Sequence, residues 1–184
     1  MQCPSCKSTS FRPAKLEPSL GALECTGCEG MVLDLVSYRL WRERNHMADA
    51  GDAPLKSAPD ADHPALLCPR CSRIMLRFRY TKDTTHVLDV CSHCDTVWLQ
   101  AGEWEFLKNL GLHARVSQIF TDPWQRQLRS ERTRDAQSGQ WDQRLGAELH
   151  EELAELRTRI EGHANRGEIL AYLQSADPYA VAGK

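Results

Sequence analysis

Cys68-Pro69-Arg70-Cys71, followed after residues 72–90 by Cys91-Ser92-His93-Cys94, is the stretch that decides the reading of this chain. Two C-x-x-C pairs at that separation have the spacing of one tetrahedral metal site. Each pair makes a tight turn that aims two thiolates at a common point, and a hairpin over 72–90 carries the second pair opposite the first. Zinc suits such a set because it is a borderline-soft ion that binds thiolates at about 2.3 Å and asks only for tetrahedral geometry. Four sulfurs close its coordination sphere, whereas a catalytic zinc keeps one position for water. The expectation is a structural zinc on Cys68, Cys71, Cys91 and Cys94.

The pattern has an earlier copy: Cys3-Pro4-Ser5-Cys6, residues 7–24, then Cys25-Thr26-Gly27-Cys28. Laying one copy on the other also places Gly30-Met31-Val32-Leu33 on Thr96-Val97-Trp98-Leu99. The repeat uses all 8 cysteines of the chain. A second zinc is therefore expected on Cys3, Cys6, Cys25 and Cys28. The competing reading is two disulfide-bonded hairpins, which would suit a secreted protein. The opening Met1-Gln2-Cys3 leaves no space for a signal peptide, and no apolar run approaches the length of a membrane span. The expected compartment is the reducing cytoplasm, where paired C-x-x-C units are metal sites more often than disulfides.

The segment CPRCSRIMLRFRYTKDTTHVLDVCSHCDTVWLQAGEWEFL resembles the transcription-factor-IIB-type zinc-ribbon family of small, mostly bacterial domains. That family shows C-P-x-C, a hairpin, then C-x-x-C-G-G-x-W-L-D-x-G-E-L leading into a helix. Cys68-Pro69-Arg70-Cys71, Trp98-Leu99 and Gly102-Glu103 match it. Asp95-Thr96 stands in place of the glycine pair, Gln100 in place of the aspartate and Trp104 in place of the leucine. The first copy keeps Gly30, Leu33 and Asp34. The resemblance covers the two repeat segments and implies zinc binding far more firmly than a role in transcription.

Composition bounds the rest. Aromatic residues make up 7% and charged residues 26% of the 184 residues, which is thin for one large core. A ribbon of some thirty residues cannot bury enough apolar surface to fold unaided. A structural zinc supplies about 10–16 kcal/mol, so each ribbon is expected to need its metal and to fold as its own module. The formal charge of −2 becomes −6 once eight thiolates add −8 and two zinc ions add +4. A general nucleic-acid binder is basic overall or carries a strongly basic face.

The expected fold class is a small metal-stabilised α+β protein: two zinc ribbons of β-hairpin type, then a C-terminal helical segment. Residues 1–45 hold the first ribbon and a short helix, with a hairpin turn at Pro18-Ser19-Leu20-Gly21. Tyr38 and Trp41 read as aromatics sealing a small core rather than as base-stacking groups. Residues 46–65, rich in Ala, Asp and Pro, bury too little to offset their ordering entropy and read as a flexible linker. Its histidines, His46 and His63, read as solvated. Residues 66–111 hold the second ribbon and a helix from about Ala101 to Leu110. Residues 112–184 form a helical region.

One surface makes a case for phosphate contact. Leu76, Phe78 and Tyr80 alternate with Arg77, Arg79 and Thr81, the period of a half-buried strand. Arg77, Arg79 and Lys82 would then share one extended hairpin and could touch a nucleic-acid backbone. Alternatively they offset the zinc–thiolate charge and keep the strand soluble. A second basic locus, Arg126 to Arg134, lies in the polar segment 124–141, which reads as a contacting helix or a loosely held connection. Trp124 and Trp141 bracket it and are expected to dock on neighbouring elements. Glu103 opens a helix and reads as a capping residue. His86 and His93 are alternative ligands only in an unusual geometry.

Further on, Leu145, Leu149, Leu153, Leu156 and Ile160 recur at intervals of three and four among charged residues. A shorter helix follows over Glu168–Gln174 with Ile169, Leu170 and Leu173. The apolar seam is expected to close mainly within the chain; a second copy or another protein are the alternatives. No phosphate-binding loop, nucleophile constellation or carboxylate pair stands out. The expected protein is a non-catalytic adaptor that holds two zinc ions and recognises a protein partner, in a transcription or processing complex. Direct nucleic-acid binding is the alternative, and a zinc–thiol redox switch is a third.

Overall fold

The computed structural model describes residues 1–45, 64–83 and 85–179. The fold is α+β. Strands β1 (Phe11–Glu17), β2 (Leu20–Cys25) and β3 (Met31–Asp34) lead into helix α1 (Leu35–Arg44). Strands β4 (Leu76–Arg79), β5 (Val87–Cys91) and β6 (Thr96–Leu99) lead into α2 (Glu103–Asn109). A 3-10 turn at His113–Arg115 follows, then α3 (Val116–Ile119), α4 (Asp122–Leu145), α5 (Ala147–Glu161) and α6 (Arg166–Gln174). Two compact units result, Met1–Arg132 and Thr133–Lys184.

In the first unit the six strands form one antiparallel sheet in the order β1-β2-β3-β6-β5-β4. The internal repeat explains that order. Each copy contributes a three-stranded meander, and the two meanders join through their third strands. Met31 pairs with Leu99, Val32 with Trp98 and Leu33 with Val97. In the repeat alignment Met31 corresponds to Val97, Val32 to Trp98 and Leu33 to Leu99. The Met31–Leu99 pair is thus the counterpart of Leu33–Val97, and Val32–Trp98 is its own counterpart. A local pseudo-two-fold axis passes through the Val32–Trp98 pair.

Because side chains alternate across a sheet, β3 and β6 serve two faces. Leu33, Val97 and Leu99 point to the helical face, where they meet Leu88, Tyr38, Trp41, Trp104, Leu107 and the buried residues of α3. Val32 and Trp98 point to the other face, together with Cys3, Cys25, Cys68 and Cys91. Each residue of β6 is buried, as expected for the central strand of a sheet covered on both sides.

The helices that follow the two meanders also hold the halves together. Asp34 caps α1, its carboxylate accepting from the backbone N–H of Ser37 at 2.8 Å, and α1 buries Leu35, Tyr38 and Trp41. The Tyr38 hydroxyl donates to the His113 carbonyl at 2.7 Å and accepts from the Val116 N–H at 3.1 Å. Tyr38 stands edge-on to Trp104, its counterpart in the second copy, at 6.5 Å. Glu17 of β1 accepts from the Trp104 indole at 3.0 Å and pairs with Lys108 at 2.6 Å, both on α2. Tyr38 and Trp41 are core residues, as read from the sequence.

The two halves share one sheet and one core, where the sequence expectation was two ribbons folding as separate modules. Each half presents its third strand as an open edge, and both helices feed one core. A meander with one helix cannot cover both faces of its own sheet, so the partner half completes it. The expected linker at 46–65 lies, apart from Pro64 and Ala65, outside the described residues, as do His46 and His63.

The polar segment 124–141 is helical throughout, inside α4. Trp124 packs on the core of the first unit. Trp141 does not dock as expected: it is 49% exposed, with the Arg144 guanidinium 5.7 Å above its ring. In the second unit Gly146, at φ +84°, separates α4 from α5, and His150 bonds back to Asp142 at 2.6 Å.

Candidate metal centres

The eight cysteines gather into two groups, Cys3–Cys6–Cys25–Cys28 and Cys68–Cys71–Cys91–Cys94, and within each group the sulfurs lie within 4.8 Å of one another. Sγ–Sγ distances are 3.5 Å for Cys3–Cys28 and for Cys6–Cys25. In the second group they are 3.4 Å for Cys68–Cys94, 3.5 Å for Cys71–Cys91 and 3.9 Å for Cys71–Cys94. A zinc with sulfurs at about 2.3 Å in a tetrahedron sets neighbouring sulfurs about 3.8 Å apart, so the spacing fits. A disulfide requires about 2.05 Å, and all eight cysteines are free thiols.

Local backbone geometry explains how each C-x-x-C aims its sulfurs. The residue after the second cysteine is left-handed in all four pairs: Lys7 (φ 64°), Glu29 (φ 58°), Ser72 (φ 59°) and Asp95 (φ 49°). In three of them its N–H returns to the carbonyl of the first cysteine, as Lys7 to Cys3 (3.1 Å), Glu29 to Cys25 (2.9 Å) and Ser72 to Cys68 (2.9 Å). The first cysteine in turn donates to the residue five positions on: Cys3 to Ser8, Cys25 to Gly30 and Cys68 to Arg73, at 2.7–2.8 Å. A left-handed non-glycine residue costs of order 1 kcal/mol, and these turns accept that cost four times. Sequence reasoning missed this feature. Its trace was Asp95, one of the residue types that enter the left-handed region more readily than most.

Each turn also points backbone N–H groups at sulfur, Cys6 at Cys3 Sγ and Arg70 at Cys68 Sγ, both at 3.4 Å. Burial works against ionising Cys25, but the N–H groups of Gly27 and Cys28 outweigh it and lower its pKa to about 7. Cys91 is likewise lowered to about 7, against burial, by the N–H groups of His93 and Cys94. Burial pushes Cys28 and Cys68 up to about 12. In each group one thiol is thus shifted toward ionisation while others, Cys3 and Cys28 in the first and Cys68 and Cys94 in the second, are shifted against it by burial, and a cation at the centre would offset that burial cost. Soft thiolate donors select zinc, copper(I) or iron–sulfur chemistry among biological metals.

The two centres share one apolar layer. Trp98 and Val32 belong to one buried cluster with Cys3 and Cys25 of the first group and Cys68 and Cys91 of the second. The Arg70 guanidinium, from the second group's first turn, reaches Asp34 of the first half at 3.2 Å. His93 is exposed in its turn, and His86 stacks on Tyr80 with 6.2 Å between ring centres. Neither histidine belongs to a cysteine group.

Arg77 and Arg79 both lie on β4, the edge strand of the sheet. Arg77 faces its register partner Asp89, with 3.6 Å between Nε and Oδ1, and Asp89 is buried. Its guanidinium compensates a carboxylate in the interior. Lys82 stands 4.0 Å from Asp83. Glu103 opens α2 but does not cap it as expected: its carboxylate accepts from the Gln100 N–H, ahead of the helix, at 2.8 Å, and among the described residues no side chain caps the α2 N–H groups. What the sequence did not show is its burial beside Asp89, which raises the Glu103 pKa to about 8, desolvation being the larger cause.

Fold and site together define an α+β protein with two four-cysteine groups, each able to hold a metal ion. No protein-family model matches the chain, and neither does any curated protein or solved structure. Among the described residues no helix is long and apolar enough to cross a membrane.

Proposed function

We propose that the protein is a zinc-dependent, non-catalytic adaptor of the cytoplasm. In this reading its two cysteine groups are zinc ribbons, each holding one structural Zn2+, and its task is to recognise a protein partner in a transcription or processing complex. The supporting observation is the pair of four-sulfur groups set against a common Trp98–Val32 layer. Four thiolates complete a tetrahedral zinc and leave it no position for substrate. The zinc ions would then serve to hold turns, sheet and helices in one shape. Arg77, one of the three residues that argued for phosphate contact, is turned to Asp89, which favours a protein partner over nucleic acid.

The test is a pull-down from native extract with the zinc-loaded chain and with the chelated chain, each with and without nuclease. The adaptor reading expects partners retained only by the zinc-loaded form and unaffected by nuclease. A direct nucleic-acid titration completes it. Micromolar or tighter binding with a steep salt dependence, abolished by neutralising Arg77, Arg79 and Lys82 together, would overturn the reading.

A further inference from the structure

The second unit carries more apolar surface than its own helices cover. Along α5, Leu149, Leu153, Leu156 and Ile160 form one stripe, and α6 borders it with Leu170 and Leu173. Between the two helices runs a groove of about 340 Å³. Of these six residues only Ile160 is buried; Leu149, Leu153, Leu170 and Leu173 are 40–53% exposed. Closure of the seam within the chain, the expectation from sequence, therefore reaches Ile160 and stops there. A hairpin of two short helices has too little surface to cover its own stripe.

Charge along α5 identifies what covers the remainder. Its first nine residues, Ala147 to Glu155, carry Glu148, Glu151, Glu152 and Glu155 and no Lys or Arg. Its second part, Leu156 to Glu161, carries Arg157 and Arg159 against the single acid Glu161, and Arg166 opens α6. All of these charged residues are exposed. An acidic half followed by a net-basic half is self-complementary when a second copy runs the opposite way, and self-repelling when it runs the same way. The stripe has the same symmetry: spaced four, three and four, it maps onto itself on reversal, setting Leu149 against Ile160 and Leu153 against Leu156 of the other copy. On heptad numbering the leucines and Ile160 take the a and d positions, and Glu152 and Arg159 both take g. Antiparallel helices place g beside g, so the two-fold axis forms the Glu152–Arg159 pair twice. The favourable direction of acidic and basic ends relative to the helix dipole accounts for the charge order alone, not for four exposed apolar residues beside it.

We propose that the α5–α6 hairpin is a homodimerisation surface: two copies of this chain pair antiparallel through α5, closing both grooves into a four-helix bundle. The contact is isologous, the commonest way soluble chains pair. It stands independently of the metal reading, since no cysteine contributes to it.

The experiment is sedimentation of the full zinc-loaded chain over a concentration series reaching about 0.1 mM, within the range of weak but specific association. The wild-type chain is expected to dimerise. Glu152→Arg and Arg159→Glu should each be monomeric with unchanged helix content, because both positions are exposed on the helix surface. Mixed in equal amounts, the two variants should recover the dimer, each supplying the charge the other lacks. A wild-type chain that stays monomeric throughout would overturn the proposal, as would a seam occupied only by a different protein. An undiminished dimer of the Arg159→Glu variant would do so too, because a parallel pair does not use that residue. So would a mixture that fails to recover the dimer.

Discussion

Gly30 lies so close to Trp98 that a Cβ at position 30 would stand 2.3 Å from the indole Cζ2 and 3.2 Å from the Leu99 carbonyl. The two residues come from different repeat copies, and the contact forms where β3 meets β6. It lets the largest side chain of the metal-bearing face reach across the join between the halves. Gly30→Ala must displace either the indole or the sheet backbone. Overpacking of this kind costs about 1–3 kcal/mol, so the denaturation midpoint of the zinc-loaded protein should fall accordingly. An unchanged midpoint would mean that Trp98 has room to retreat.

The shared sheet makes a distinct prediction about metal. Elemental analysis of freshly purified protein should return two zinc ions per chain. Cys25→Ser should disorder more than the first group, because β2 pairs with β3 and β3 with β6. Amide-resonance dispersion should be lost from residues of both halves. A variant that keeps full dispersion from Leu66 to Leu110, and one zinc, would show that the second half stands alone.

Glu103 predicts a pH dependence. Its pKa rises from the ordinary 4.5 to about 8 in the folded state, chiefly by burial and further by Asp89. A raised carboxyl stabilises the fold fully below its unfolded value, and the contribution is lost as pH climbs through the folded value. Between about pH 6 and pH 9, where the thiolate sites are not yet stripped by acid, the wild-type protein should therefore lose stability with rising pH. Glu103→Gln keeps an acceptor for the Gln100 N–H and removes the ionisation. At the alkaline end it should be more stable than wild type by about 1–4 kcal/mol, each pKa unit being worth about 1.36 kcal/mol. Parallel stability–pH curves for the two proteins would contradict the assignment.

The sequence by itself determined the local chemistry. C-x-x-C spacing is a property of a few adjacent residues, so the two cysteine groups, Cys3–Cys28 and Cys68–Cys94, could be assembled from spacing alone. The same holds for the existence of the strand at Leu76–Arg79, though Leu76 proves exposed rather than inward-facing, and for the helix after Gly102 and the leucine stripe of α5. The repeat was visible too, and it carried the pseudo-symmetry that the strand order displays. Tertiary structure alone decided what depends on residues far apart in the chain. Val32 against Trp98, Glu17 against Lys108 and Tyr38 against Val116 each join the two halves, and no periodicity encodes such pairings. The open edge of a three-stranded meander exposes backbone groups that must find partners, but several partners would satisfy them. Here the choice fell to the other copy, because Gly30 leaves room for Trp98 and α1 and α2 share one core. The burial of Glu103 and of Asp89, toward which Arg77 turns, likewise comes from packing that no short period along the chain encodes.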